Sequence, residues 1–444
     1  MQQALTACEP RISLWGYGGF LRRPGAEFIA MLSTPSAYLG RHARDATRLL
    51  QALVRQRTVN PPGENYDGIT AFLMRELDSL GLKTRRFAMP AALLKKHLPP
   101  EQRACPRFNV LGRWDAGAAK TIHFNAHYDV VPAGGAWRHG DAFSGRLERG
   151  WIYGRGSADM KGSIASLLLA LRALRATHTP PRCNVEVSFT ADEETDSALG
   201  AGWLVRHAGL RADYAVVMEG AEGRTICCGH NGVLWFNVTV HGRAAHGSEP
   251  ECGINALEKM AAFVIALKEY KKRLARRTFV TPSGKVMRST LNIGGVFAAG
   301  PGGKINTVPA LASFTLDRRV LPVENHAAAE RELRAVLAAT ARKIPHCRIT
   351  VEKISENFAC FERPTHPFFA AMAASVGRVR RTEPVFSLST GFNDMHFFSH
   401  HLKIPAVGYG PAGENYHAVD ERAPVRDLVT TAKIYADLLA TFAG

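Results

Sequence analysis

Apolar residues recur at helical spacing over residues 42–56 and 66–80, which predicts two amphipathic helices. Shorter apolar runs at 107–113 and 121–131 predict strands. The helix-like run SIASLLLALRAL and the strand-like runs NVEVSFTAD (184–192) and AVVM (215–218) carry that alternation to about residue 231. A different order follows: strand 233–240, helix 253–274, strands 288–297 and 311–318, helix 324–342 and strand 347–354. This βαββαβ order is that of a ferredoxin-like unit. The first pattern resumes at about 355, with the helix PFFAAMAASV and the strand-like run IPAVGYG (404–410). The chain therefore reads as an α/β domain, residues 36–231 and 355–444, interrupted by an α+β unit at 232–354. No internal repeat or low-complexity tract is present.

Candidate chemistry sits where the apolar runs stop. The run TIHFNAHYDVVP (121–132) ends in His127-x-Asp129, and side chains two apart on a strand share a face. An imidazole beside a carboxylate makes a metal ligand and the group that orients it. Asp159 follows in the Gly-rich turn GRGSADMKG (154–162), Glu193 and Glu194 follow NVEVSFTAD, Glu219 follows AVVM, and His417 follows IPAVGYG. Taken singly, each of these acids reads better as a solvated loop carboxylate. Five ligands at the ends of five runs point to the carboxyl edge of an open α/β sheet, where loops converge on a ligand. The count suits two ions: Asp159 bridging, His127 and Glu219 on one, Glu194 and His417 on the other. Imidazole and carboxylate donors without thiolate fit Zn²⁺ best, with Co²⁺ or Mn²⁺ tolerated. Adjacent side chains do not easily face one ion, so Glu194 is read as ligand and Glu193 as general base. His123 shares the face of His127 and is read as a core histidine.

The blocks HYDVVP, GRGSADMKG, ADEE, VMEG, AAHGSEP and GPAGENYHAVDE occur in that order. With them the chain, from about residue 45 onward, resembles the dinuclear-zinc amidohydrolase and peptidase family. That family contains acetylornithine deacetylase, succinyl-diaminopimelate desuccinylase, aminoacylase and glutamate carboxypeptidase. The resemblance implies a zinc-peptidase-like catalytic domain with helices on both faces of a mixed sheet. It implies that the insert is the lid and the dimerisation surface. Asp129 then supports His127, and His246 reaches the partner subunit's active site to stabilise the oxyanion. Asn306 and Arg319 match substrate-binding positions, Arg319 as a fork for a carboxylate; a surface ion pair is its plainer reading, and Arg318 next door complicates the choice. The loop 389–398 keeps Thr390, Gly391 and Asp394 of the family's substrate loop, while Phe392 and Asn393 are its own; Asn393 and Asp394 are read as substrate-binding. Asn231 stands where many relatives carry Arg or Lys.

Composition narrows the setting. With 444 residues, 46% of them hydrophobic, the chain has material for two domains. No apolar run approaches the ~18 residues of a membrane span. Eight cysteines show no paired spacing, which favours a reducing, cytoplasmic compartment. The charge of +17 is consistent with nucleic acid, an acidic surface or anionic substrates. The densest basic run, KEYKKRLARR (268–277), reads as a solvated helix face, and no nucleic-acid motif accompanies it. Residues 1–30 lack a signal-peptide pattern and are expected to be poorly ordered or to follow from a start assigned upstream of Met31.

The expected protein is thus a dimeric two-metal hydrolase of the amide bond in small N-acyl amino acids. The alternatives are a dipeptidase or carboxypeptidase using the same site and, from another class, a non-catalytic metal-binding relative. Within the family, Glu at the position of Glu219 goes with deacylases and carboxypeptidases.

Overall fold

The structure, a computed structural model, describes residues 34–220, 223–300 and 303–444, so the expectation for residues 1–30 lies outside the described residues. Thr34 caps the first helix, α1 (Pro35–Arg41), through its hydroxyl and the Ala37 N–H. Next come α2 (Ala43–Val54), α3 (Tyr66–Ser79), β1 (Lys83–Ala88), α4 (Ala91–His97), β2 (Phe108–Trp114), β3 (Thr121–His127), β4 (Arg146–Glu148), β5 (Trp151–Tyr153), α5 (Lys161–Ala176), β6 (Asn184–Thr190), α6 (Ala201–His207), β7 (Tyr214–Val217) and β8 (Thr225–His230). The inserted segment holds β9 (Gly232–His241), α7 (Ala256–Ala266), α8 (Lys268–Ala275), β10 (Thr278–Val280), β11 (Val286–Arg288), β12 (Thr290–Ala299), β13 (Leu311–Val320), α9 (His326–Lys343) and β14 (Arg348–Asn357). The chain closes with β15 (Cys360–Phe361), α10 (Pro367–Arg380), β16 (Val385–Ser389), a π-helical segment (Phe397–Leu402), β17 (Ala406–Gly408), β18 (Arg422–Pro424) and α11 (Val425–Thr441).

The central sheet runs β1-β2-β6-β3-β7-β17-β8-β15, with β16 also on β8. Its middle, β6-β3-β7-β17, is parallel, and β1, β2 and β15 pair antiparallel at the flanks. Every residue of β3 is buried, so its period of two sorts the two faces rather than inside from outside. Ile122, Phe124 and Ala126 join the large core with α2, α3, α5, α10 and α11. The opposite row is polar: His123 bonds Glu186 and Ser188, Asn125 bonds Ser188, and the row ends at His127. Helix α5 is buried almost all round, and each of Ile164, Leu167, Leu168 and Leu171 contributes roughly 1.5–3 kcal/mol by leaving water. Smaller apolar clusters under α4, α6 and the π-helical segment cover the second face.

The insert forms its own four-stranded sheet, β12-β13-β9-β14, over a separate core of α7, α8 and α9. Its observed order matches the expected βαββαβ, with helix 253–274 broken into α7 and α8 and an additional hairpin, β10–β11, before β12. Entry and exit lie side by side: Val233 pairs with Asn357, and His230 with Cys360. His326, first residue of α9, accepts the Ala359 N–H at 2.9 Å, while His400 Nε2 meets the Ala359 carbonyl at 2.8 Å. Gly232 is required here by close approach, since a Cβ would stand 2.2 Å from His326 Nε2.

Candidate metal centre

Four parallel strands deliver the site. His127 is the last residue of β3, Glu193 and Glu194 follow β6, Glu219 follows β7 and His417 follows β17. Asp159 lies in the turn that opens α5. All converge at the carboxyl edge of the sheet.

The two oxygens of Asp159 face opposite ways. Oδ1 lies 3.1 Å from His127 Nε2, and Oδ2 lies 3.1 Å from His417 Nε2. Glu219 Oε1 stands 3.6 Å from His127 Nε2, and Glu194 Oε2 stands 3.1 Å from His417 Nε2. The site therefore contains two imidazole–carboxylate pairs that share one aspartate. Glu193 Oε2 is more remote, 3.9 Å from His127 Nε2, although donor atoms of His127, Glu193 and Glu219 all lie within 4.8 Å of one another, as do those of His127, Asp159 and Glu194.

The carboxylates of the site crowd one another electrostatically. Burial and the neighbouring Asp159 push Glu194 and Glu219 above the usual carboxylate range, Glu219 to about 8. Burial raises Glu193 further, and Glu219, Asp394 and Glu194 add to it. Burial also works against the charge on Asp159, yet hydrogen bonds from His127 and His417 hold its carboxyl well below the ordinary value. Hydrogen bonds to Asp159 and Glu194 raise His417 to about 10. Buried Glu194 Oε1 has no hydrogen-bond partner. Crowded carboxylates, two imidazoles and an orphaned oxygen form a donor set that cations satisfy.

A second layer fixes these donors, and most of it is not apparent from spacing. His127 Nδ1 meets the Asp129 carbonyl at 3.0 Å and its carboxylate at 3.6 Å, which aims Nε2 into the site. The Asp129 carboxylate accepts the N–H groups of Glu193 and Glu194, both at 3.3 Å, and the Asn60 amide at 2.9 Å. Buried Glu421 accepts the N–H groups of Gly156, Ala158 and Asp159 and pairs with Arg155 at 2.5 Å. Arg107 and Asp192 form a buried ion pair at 2.8 Å just before the two glutamates. Asn60 and Glu421 carried a signal only in hindsight: one precedes Pro61-Pro62, the other closes the HAVDE block.

A cleft of about 740 Å³ opens over the centre; its walls include Tyr416, Trp235, Lys285, Arg319, Phe392 and Asn393. Arg319 reaches it from β13 with Nη2 2.9 Å from Asp317. Arg318, on the opposite face, is fully buried and paired with Glu324 at 2.7 Å. The expectation for Asp394 is corrected: it sits behind the wall, its carboxylate accepting the Ser197 hydroxyl at 2.5 Å, because the turn after Asn393 directs it into the core. Asn393 stays on the wall while its Oδ1 accepts the Met395 N–H. His246 and Asn306 are exposed neighbours on the insert, joined through the Gly247 N–H and Asn306 carbonyl at 2.7 Å, and neither lines the cleft of its own chain. His123 is a satisfied core histidine, as read.

A profile described as peptidase family M20/M25/M40 matches residues 123–441. The chain is 29% identical over 417 residues to a succinyl-diaminopimelate desuccinylase of Methylocella silvestris, covering 90% of this chain and 98% of that one. In fold it is similar to a di-peptidase of Saccharomyces cerevisiae, with a TM-score of 0.73, 16% identity, and 92% and 98% of the two chains covered. It is also similar to a dinuclear metal binding peptidase of Bacillus subtilis, with a TM-score of 0.62, 15% identity, and 90% and 97% covered. The chain belongs to peptidase family M20/M25/M40 and is a metal-dependent hydrolase acting on amide bonds.

Proposed function

We propose that the protein is a two-metal deacylase of small N-acyl amino acids. The observation that carries this is Asp159, one carboxylate shared between two imidazole–carboxylate pairs. His127, Glu219 and Asp159 would hold one ion, and His417, Glu194 and Asp159 the other. The nitrogen and oxygen donors favour Zn²⁺, with Co²⁺ or Mn²⁺ as substitutes. Bound there, the ions supply Lewis acidity toward the amide carbonyl and acidify water.

The chain's own groups do the rest. Glu193 takes the proton of the attacking water and passes it to the leaving amine. Arg319 holds the carboxylate beside the scissile amide, while Asn306, which lies outside the cleft of its own chain beside His246, serves the partner subunit's cleft. Residues 232–354 act as a lid, and His246 serves the partner subunit's cleft as donor to the developing oxyanion. Leu257 and Ile265 on the outer face of α7, and Val296 and Phe297 on edge strand β12, are exposed apolar residues that support a homodimer through the insert. Seven described cysteines are free thiols, which supports a reducing compartment such as the cytoplasm. Among the described residues no helix is long and apolar enough to cross a membrane.

The test is a hydrolysis panel after Zn²⁺ or Co²⁺ loading: N-acetyl and N-succinyl amino acids, their carboxamides, and dipeptides. Faster cleavage of the N-acyl acids, by at least ~10-fold over the carboxamides, is expected from losing a charged partner of Arg319. Faster cleavage of dipeptides supports the peptidase alternative, which the same carboxylate fork would serve. No turnover of any amide overturns both.

A further inference from the structure

The hairpin β10–β11 belongs to the insert by connectivity and to the central-sheet unit by packing. Met287 is buried in the large core of that unit, and the Phe279 ring lies 5.1 Å from that of Phe361. At its tip the Ser283 hydroxyl bonds the Ser387 hydroxyl of β16 at 3.2 Å. The tip is closed on itself: Thr281 N–H bonds the Lys285 carbonyl at 2.9 Å, and Lys285 N–H bonds the Thr281 hydroxyl at 3.1 Å. These contacts fix the backbone of Lys285 at the mouth of the cleft, which its side chain lines.

Lys285 and Arg319 are the lysine and arginine of that wall among the described residues. Arg319 is partly neutralised by Asp317. The Lys285 ammonium has neither an ion pair nor a hydrogen bond among the described residues. The adjoining wall is made of hydroxyls, Thr225 at the start of β8 and Ser387, Ser389 and Thr390 along and just beyond β16. An exposed, unpaired cation beside hydroxyl donors at the mouth of a cleft matches a carboxylate. A net charge of +17 draws anions toward it.

We propose that Lys285, with the hydroxyls of Thr225 and Ser387, forms a second carboxylate subsite remote from the scissile amide. The preferred substrate is then a dianion, one carboxylate on Arg319 and one on Lys285. This rests on the reading of the site as an N-acyl amino acid hydrolase. The second carboxylate sits either at the far end of a dicarboxylic acyl group or on the amino-acid side chain, and the subsite chemistry is the same.

The experiment compares kcat/KM for N-succinylalanine, N-acetylglutamate and N-acetylalanine in the zinc-loaded wild type, Lys285→Met and Lys285→Glu. Loss of a charge-assisted contact predicts a drop of ~10–100-fold in Lys285→Met for whichever dianion uses the subsite, carried mainly by KM. N-acetylalanine should change by less than about threefold, and Lys285→Glu should be worse than Lys285→Met on the dianion alone. A drop confined to N-succinylalanine assigns the acyl side, and one confined to N-acetylglutamate the amino-acid side. Equal losses on all three substrates, or none on any, overturn the subsite. Calorimetric binding of succinate against butyrate gives a readout that needs no turnover. Wild type should prefer succinate by at least ~10-fold, and Lys285→Met should erase that preference. Absence of the preference, or its survival in Lys285→Met, also overturns the subsite. If no N-acyl amino acid is cleaved but the succinate preference depends on Lys285, the deacylase reading falls and the subsite stands.

Discussion

Glu421 accepts the backbone N–H of Asp159 at 3.0 Å from 262 positions further along the chain. The same carboxylate holds the N–H groups of Gly156 and Ala158, so one buried acid shapes the turn that presents the shared ligand. Second-layer groups of this kind typically contribute 10–100-fold to metal affinity. Glu421→Gln is therefore expected to weaken Zn²⁺ binding by ~10-fold or more, measured by competition with a chromophoric chelator. Unchanged affinity in a variant that melts normally would mean that the turn holds its own shape.

Glu193 and Glu194 are neighbours in sequence with different surroundings. Glu193→Gln should retain both ions and lose at least ~10²-fold in kcat, the lower range for removing a general base. Glu194→Gln should lose metal first, leaving activity that recovers with excess Zn²⁺. Metal content by atomic absorption, read beside kcat, separates the two, and the reverse pattern would exchange their roles.

His246 lies outside the cleft of its own chain, which makes subunit complementation the informative assay. His246→Ala and Glu193→Gln should each be inactive alone, because an oxyanion donor contributes roughly 2.7–4 kcal/mol. Mixed and allowed to exchange, they should form heterodimers with one working site in two. No recovery after exchange has been verified by mass spectrometry would confine His246 to its own chain or remove it from catalysis.

Acid should loosen the crossing between the two units. His230 is fully buried beside the His396 ring, 5.5 Å away, and Nε2 has no partner. Burial, with added repulsion from His400 and His326, lowers its pKa from 6.5 to about 4. Between those values the unfolded chain binds more protons than the folded one, so stability rises with pH and is lost as pH falls from 6.5 to 4. Fully expressed, the effect is on the order of 3 kcal/mol. The melting temperature of the wild type should fall more steeply across that window than that of His230→Gln. Parallel curves would assign the acid sensitivity to other groups.

How far the chain could be read in advance follows from the range of the forces involved. His127, Asp159, Glu194, Glu219 and His417 were legible because each lies at the end of an apolar run or in the loop or turn that adjoins one. The βαββαβ order of the insert was legible from runs of the same kind. Glu421 and Asn60 were not, since their partners are backbone N–H groups that only the folded chain brings near. Asp394 matched a substrate loop in type, but its direction depends on the turn at Asn393 and on Ser197 from a distant segment. The β10–β11 hairpin was missed because its strands are three residues each, too short for any period to emerge.

The paired crossings at Val233–Asn357 and His230–Cys360 have an evolutionary consequence. A segment whose two ends leave the host as neighbouring strands, about 5 Å apart, can be lengthened, exchanged or lost without altering the register of the host sheet. Lys285 and Arg319 lie within that segment, while the donors at the ends of β3, β6, β7 and β17 lie outside it. The contacts that the insert brings to the cleft, Lys285, Arg319 and the oxyanion donor His246, are therefore heritable separately from the metal-binding edge of the sheet, which stays as it is.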